Sequence, residues 1–339
     1  MSMDADRRKP GMLKAIFKRR QYPDYEEKRN CIVKMNRIQR KDGARVFYRF
    51  RWPCAESRVL GSGSCDKVKP DIALLGGWST HPAVFLSQIK ELCKDYRVLT
   101  METRGYWNNS GLGKSTPETY LDDCVQDLRA VLDTERIGSI AIVGHSMWGG
   151  IAMNFYHSYP SMVSGLVLVA PGYTDPRKLG FISNQPVMHK TADILFHVAG
   201  KLVPLGWVKK YILSKDPITR SVLETAVLAI MDEAENKLHA RKMIKNVLRA
   251  DLRAMSMSMQ ALFRMDDSLL EKADEIKVPV LLIGGSEDPL VSPESVIRLG
   301  QNMPCAQTEI WDGVKHFPMI ADPEKFNRRL AEFLNSIHK

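Results

Sequence analysis

No apolar run in this chain is long enough to span a bilayer. The six cysteines (Cys31, Cys54, Cys65, Cys93, Cys124 and Cys305) contain no Cys-x-x-Cys pair, so neither a zinc nor a redox spacing is present. There is no internal repeat and no low-complexity tract. No secretory apolar core stands at the front, and a reduced, cytoplasmic setting is the expectation. A basic excess beyond the first 51 residues is also missing. The 339 residues carry a formal charge of +10. Residues 1–51 hold sixteen Lys and Arg against six Asp and Glu, while the remainder holds 33 of each sign. The body is neutral, so no domain-scale basic groove and no nucleic-acid partner are expected.

What is present suffices for one large domain with an inserted lobe. At 44% hydrophobic and 26% charged, the composition is that of a globular chain with a full core. Residues 1–30 are basic around a short apolar patch (Met12, Leu13, Ile16, Phe17) at helical spacing. Two readings stand: a solvated extension, or a segment within residues 1–20 that touches a membrane surface. Cys31–Arg40 and Ala44–Trp52 alternate apolar with polar residues across Lys41-Asp42-Gly43, which predicts an antiparallel hairpin with one wet face. Short apolar runs then alternate with helical patterns: Ile72–Leu75, Val98–Met101, Ile140–Val143, Leu166–Val169 and Val278–Ile283. That order predicts an α/β fold with a mostly parallel sheet covered on both faces. The alternation stops between about Gly172 and Asp267, where the pattern is helical and rich in Met and Leu. The expected organisation is an extension (1–30), a core begun by 31–171 and completed by 268–339, and a helical cap (172–267).

The most informative stretch is Ile140-Ala141-Ile142-Val143-Gly144-His145-Ser146-Met147-Trp148-Gly149-Gly150. Four apolar residues run into Gly-x-Ser, and a helical pattern follows. This is the pattern of a nucleophile elbow, a sharp strand-to-helix turn that pushes a serine hydroxyl past the end of the sheet. Serine needs a base to take its proton and an acid to orient that base. In the order Ser…Asp…His, the acid is Asp288, in a turn after an apolar strand, with Asp175 as its rival. The base is His316, after the short strand Thr308–Trp311. His81, His145 and His157 read as structural or solvent-facing, and Glu287 and Asp312 as surface charges. Two backbone amides would hold an oxyanion: Met147, after the nucleophile, and Trp78 (with Gly77 second), in the loop Leu74-Leu75-Gly76-Gly77-Trp78.

Taken together, Leu75-Gly76-Gly77-Trp78, Glu102-Thr103-Arg104-Gly105, Gly144-His145-Ser146-Met147, Gly285-Ser286-Glu287-Asp288 and Gly313-Val314-Lys315-His316-Phe317 resemble the α/β-hydrolase superfamily. The likeness is to its cap-bearing serine hydrolases: esterases, lipases and carbon–carbon bond hydrolases. It runs from about Ile32 to Ile337, interrupted by the cap. It implies a Ser–Asp–His triad, a two-step acyl-enzyme mechanism and no cofactor.

The chain departs from that pattern at three places. Gly76-Gly77 stands where the family has His-Gly. Trp107 replaces a second glycine after Arg104-Gly105. Trp148 replaces the last glycine of Gly-x-Ser-x-Gly, where overpacking of the helix on the strand would cost about 1–3 kcal/mol. Trp107 and Trp148 are expected to pack near one another. The Met-rich stretch Met255-Ser256-Met257-Ser258-Met259 is expected to spread its methionines over more than one helix face. The expected activity is cleavage of an ester, or another activated acyl bond, of a lipophilic small molecule. A carbon–carbon bond hydrolase and a ligand receptor with little turnover are the alternatives, and Trp148 is the support for the latter.

Overall fold

The computed structural model describes residues 31–53, 71–109, 111–179 and 251–337. The basic extension and most of the expected cap lie outside these residues. The described strands form one eight-stranded sheet in the order β1-β2-β4-β3-β5-β6-β7-β8. They are β1 (Cys31–Gln39), β2 (Arg45–Pro53), β3 (Asp71–Leu75), β4 (Arg97–Met101), β5 (Ile140–His145), β6 (Val163–Val169), β7 (Val280–Gly285) and β8 (Ala306–Trp311). The hairpin β1–β2 is antiparallel, and β2 meets β4 antiparallel. Every later neighbour pair is parallel.

The apolar runs become strands because both faces are covered. On one face, α2 (Tyr120–Thr134) and α3 (Met147–Ser158) pack over Leu75, Leu99, Ile142 and Leu168. On the other, α1 (Leu86–Leu92) and the C-terminal helix Pro323–Ser336 cover Leu74, Val98, Val143 and Ile283. Strand β5 is buried along its whole length, so each of its residues must be apolar, small or hydrogen-bonded. Strand β2 alternates as expected. Edge strand β1 does not: Ile32, Val33 and Met35 are all exposed, from both of its faces.

Cys31 and Cys93 are joined in a disulfide, with Cα atoms 6.4 Å apart at a sequence separation of 62. The two are brought together by the packing of β1 beside the end of α1, and no spacing rule signals that. Cys124, buried, and Cys305, exposed, are free. Among the described residues, no helix is long and apolar enough to cross a membrane.

Candidate active site

Ser146 follows β5 and caps α3 with φ 53° and ψ −120°. A non-glycine residue in such a conformation costs of order 1–3 kcal/mol and persists only where its surroundings enforce it. Here they do. The Ser146 amide donates to Val169 O at 2.9 Å, and the Ser146 carbonyl accepts from Gly149 N and Gly172 N, both at 2.8 Å. The strain is the elbow that the sequence predicts.

Trp148 does not spoil this elbow. Its side chain is fully buried in the core, and its Nε1–H donates to Thr103 Oγ1 at 2.9 Å, in the loop after β4. The close approach of helix to strand is made by the main chain, since a Cβ on Gly144 of β5 would run into the Trp148 carbonyl, and the next two residues press on the loop after β6. A Cβ on Gly149 would lie 2.5 Å from Pro171 Cβ, and one on Gly150 would run into the Gly172 carbonyl. The expected overpacking is avoided because Gly144 admits the Trp148 main chain while the indole is directed to Thr103. Trp148 and Trp107 have different described partners: Trp107 meets the rings of His81 and Tyr106 at 5.0 and 5.2 Å.

Asp288 lies in the turn after β7, and His316 in the loop between β8 and the short helix Pro318–Ala321. Asp288 Oδ1 accepts from the amides of Leu290 (2.8 Å) and Val291 (3.1 Å), which fixes the carboxylate. Oδ2 lies 2.7 Å from His316 Nδ1. A carboxylate only accepts, so Nδ1 carries a proton, and Nε2 is the nitrogen turned away from Asp288. The pair is dry, with side chains 3% and 0% exposed. Asp175 is differently occupied. Its two oxygens accept from Arg177 Nε and Nη2 at 2.5–2.9 Å, and the same guanidinium donates to Phe263 O at 3.1 Å. This bidentate pair leaves Asp175 no free face for an imidazole. Glu287 and Asp312 are exposed, as expected of surface charges.

Gly77 stands against Ser146. A Cβ there would lie 2.7 Å from Ser146 Cβ and 3.2 Å from Ser146 Oγ. Only glycine lets this loop pass so close to the serine hydroxyl. Met147 is the first residue of α3, where an amide has no intrahelical acceptor. The Trp78 indole reaches the other way, donating to Met255 O at 3.2 Å on the helix α4 (Leu252–Phe263). Tyr106 Oη and Ser258 Oγ, 2.8 Å apart, hold that helix a second time. Met255 joins the small cluster of Tyr106 and Ala254, while Met257 and Met259 pack on the main core. The Met-rich stretch does divide between faces.

His145 and Glu102 are more involved than the sequence suggests. His145 Nε2 lies 2.9 Å from the His316 carbonyl oxygen. Glu102 is buried and accepts from Asn108 N and Asn108 Nδ2, both at 2.8 Å, which ties down the loop after β4. Burial raises its carboxyl above the ordinary range, against the opposing pull of Asn108 and Arg49. Among the described residues, Ser146 Oγ and His316 Nε2 make no hydrogen bond.

A family model described as serine aminopeptidase S33 matches residues 66–323. The chain belongs to that family of α/β-hydrolases. An uncharacterised protein of Mycobacterium tuberculosis is 27% identical over 284 residues, covering 82% of this chain and 77% of that protein. A 2-hydroxy-6-oxononadienedioate/2-hydroxy-6-oxononatrienedioate hydrolase of Burkholderia vietnamiensis is 26% identical over 239 residues, covering 70% and 76%. An esterase structure from Rhodococcus superposes with a TM-score of 0.66 at 21% identity, covering 89% of this chain and 99% of that one. The fold is therefore the α/β-hydrolase fold, and the chain is a hydrolase of that family.

Proposed function

We propose that this hydrolase cleaves an ester, or another activated acyl bond, of a lipophilic small molecule through an acyl-enzyme. The observation that carries the reading is the dry Asp288–His316 pair, whose main chain is bonded to the residue preceding a strained elbow serine. Ser146 Oγ attacks the carbonyl carbon while His316 Nε2 takes its proton, a contact that closes with substrate bound. Asp288 keeps the proton on Nδ1 and stabilises the imidazolium. The amides of Met147 and Trp78 receive the oxyanion. The imidazolium then protonates the leaving group. Water, deprotonated by His316, releases the acid and restores Ser146. A lipophilic substrate is favoured by Met255 of α4, which clusters with Tyr106 and Ala254 against Trp78.

The test is steady-state hydrolysis of p-nitrophenyl esters by wild type and Ser146→Ala. Turnover that survives the substitution refutes the reading. A carbon–carbon bond hydrolase is the second reading, favoured by the Burkholderia relative. A vinylogous diketone turned over faster than any ester would select it. A ligand receptor with little turnover is the third reading, and ligand-induced thermal stabilisation without product formation would select it.

A further inference from the structure

His145 is wholly buried at the end of β5, one residue before the serine. Three elements of the site meet on its ring. Nε2 faces the His316 carbonyl oxygen at 2.9 Å. The ring packs on those of His316 and Phe317, with centroids 4.8 Å away in each case. Nδ1 is buried without a hydrogen-bond partner on the side of the Gly77 loop, where a Cβ on Gly77 would lie 3.1 Å from it. A carbonyl oxygen only accepts, so Nε2 carries the proton and Nδ1 is bare. Burial, and then the neighbouring His316, push this imidazole well below the usual histidine range, so the ring stays neutral.

We propose that His145 is a positioning residue for the base: its Nε2–H holds the main chain of His316, so that one strand end registers nucleophile and base together. Asp288 orients the imidazole of His316, and Glu287 N holds the loop two residues earlier, at Val314 O (2.9 Å), but neither holds the main chain of His316 itself. The His145 contact is made to the His316 carbonyl directly. Ser146 is covalently joined to the same anchor, so a displacement of the strand end carries both groups with it. A neutral ring in this place adds no positive charge beside the imidazolium that His316 becomes during the reaction. The proposal rests on the serine-hydrolase reading above.

The test compares His145→Gln, whose side-chain amide reaches the Nε2 position, with His145→Leu, which cannot donate. Steady-state kinetics on p-nitrophenyl butyrate are measured beside the melting temperature. Misplacing a catalytic group by about 1 Å can cost on the order of a hundredfold, so His145→Leu is expected to lose about tenfold to a hundredfold in kcat with KM within about twofold. His145→Gln is expected to recover kcat to within about threefold of wild type on the same grounds. Equal kcat in all three proteins, or equal loss in both variants, overturns the proposal. If His145→Leu does not fold, His145→Asn replaces it, since its shorter amide cannot reach the carbonyl. A kcat for His145→Asn equal to that of His145→Gln then overturns the proposal. A wild type with no Ser146-dependent turnover fails the serine-hydrolase reading itself, whereas a failure confined to the His145 variants leaves that reading intact.

Discussion

Arg104 and His316 are both almost wholly buried, each 2% exposed, yet their surroundings are built differently. Arg104 donates from Nε and Nη2 to Asp127 (2.9 and 2.6 Å), and from Nη1 to Ser115 Oγ (3.0 Å) and to Asp42. Backbone oxygens of Leu112 and Asp123 stand at 3.4 Å. Its bonding capacity is used up, and the cluster ties the β1–β2 turn to the loop after β4 and to α2. Around His316 the bonding stops short. Nδ1 is held by Asp288, while Nε2 of His316, Oγ of Ser146 and Nδ1 of His145 have no hydrogen-bond partner among the described residues. A saturated buried network fixes a fold, and an unsaturated one keeps atoms available for a substrate. Both contain residues that a motif search singles out, Arg104 and His316, and only their bonding tells them apart.

Substitutions at the two clusters should therefore fail in different ways. The largest expected effect is Asp288→Asn. Losing the group that fixes the histidine tautomer should lower kcat by about 10⁴-fold with little change in melting temperature. Asp175→Asn, on the rival acid, should leave kcat near wild type. Arg104→Leu should do the reverse. It leaves buried Asp127 with Arg40 as its remaining ion-pair partner (Nε to Oδ1 3.0 Å), and breaking a buried pair costs about 3–5 kcal/mol, read as a lower denaturant midpoint with kcat per folded molecule retained. A loss of kcat larger than the loss of stability at Arg104 would erase the distinction between the clusters. Trp148→Ala belongs with the structural group. It should cost about 3–5 kcal/mol through the cavity left by the indole, whereas a tryptophan that burdens the elbow would give a more stable variant.

The smallest effect is in the pH dependence of stability. His145 is neutral when folded and titrates near 6.5 when unfolded. Below that pH the unfolded chain binds a proton that the folded one refuses, so stability falls as pH drops. The slope contributed is at most about 1.4 kcal/mol per pH unit. It should flatten in His145→Gln, measured by urea unfolding between pH 5 and 7.5. An unchanged slope would mean that His145 is protonated in the folded protein or that another group dominates.

The sheet was legible in the sequence because its central strands are buried on both faces. Continuous apolar runs such as Ile140–Val143 have no other economical use. Ser146 follows such a run directly and Asp288 stands in the turn after another, whereas His316 follows the partly polar β8 and is marked by the chain order Ser…Asp…His. Residues that act across the fold left no such trace. Nothing adjacent to His145 signals that its ring meets His316, 171 positions later. Gly76-Gly77 announced a close backbone approach without saying that Ser146 is what it approaches. The sequence shows only which glycine Trp148 replaces, while the direction of its side chain, toward Thr103, is a tertiary fact. The same holds for Cys31 and Cys93, whose pairing depends on how the edge strand lies against α1.

The central claim is that the hydroxyl of Ser146 is the nucleophile served by His316. Treating the full-length protein with a fluorophosphonate and mapping the adduct by peptide mass spectrometry tests it most directly. The account predicts one adduct, on the peptide carrying Ser146, that disappears in Ser146→Ala and forms far more slowly in Asp288→Asn. Folded wild-type protein that stays unlabelled, or an adduct on any other residue, would contradict it.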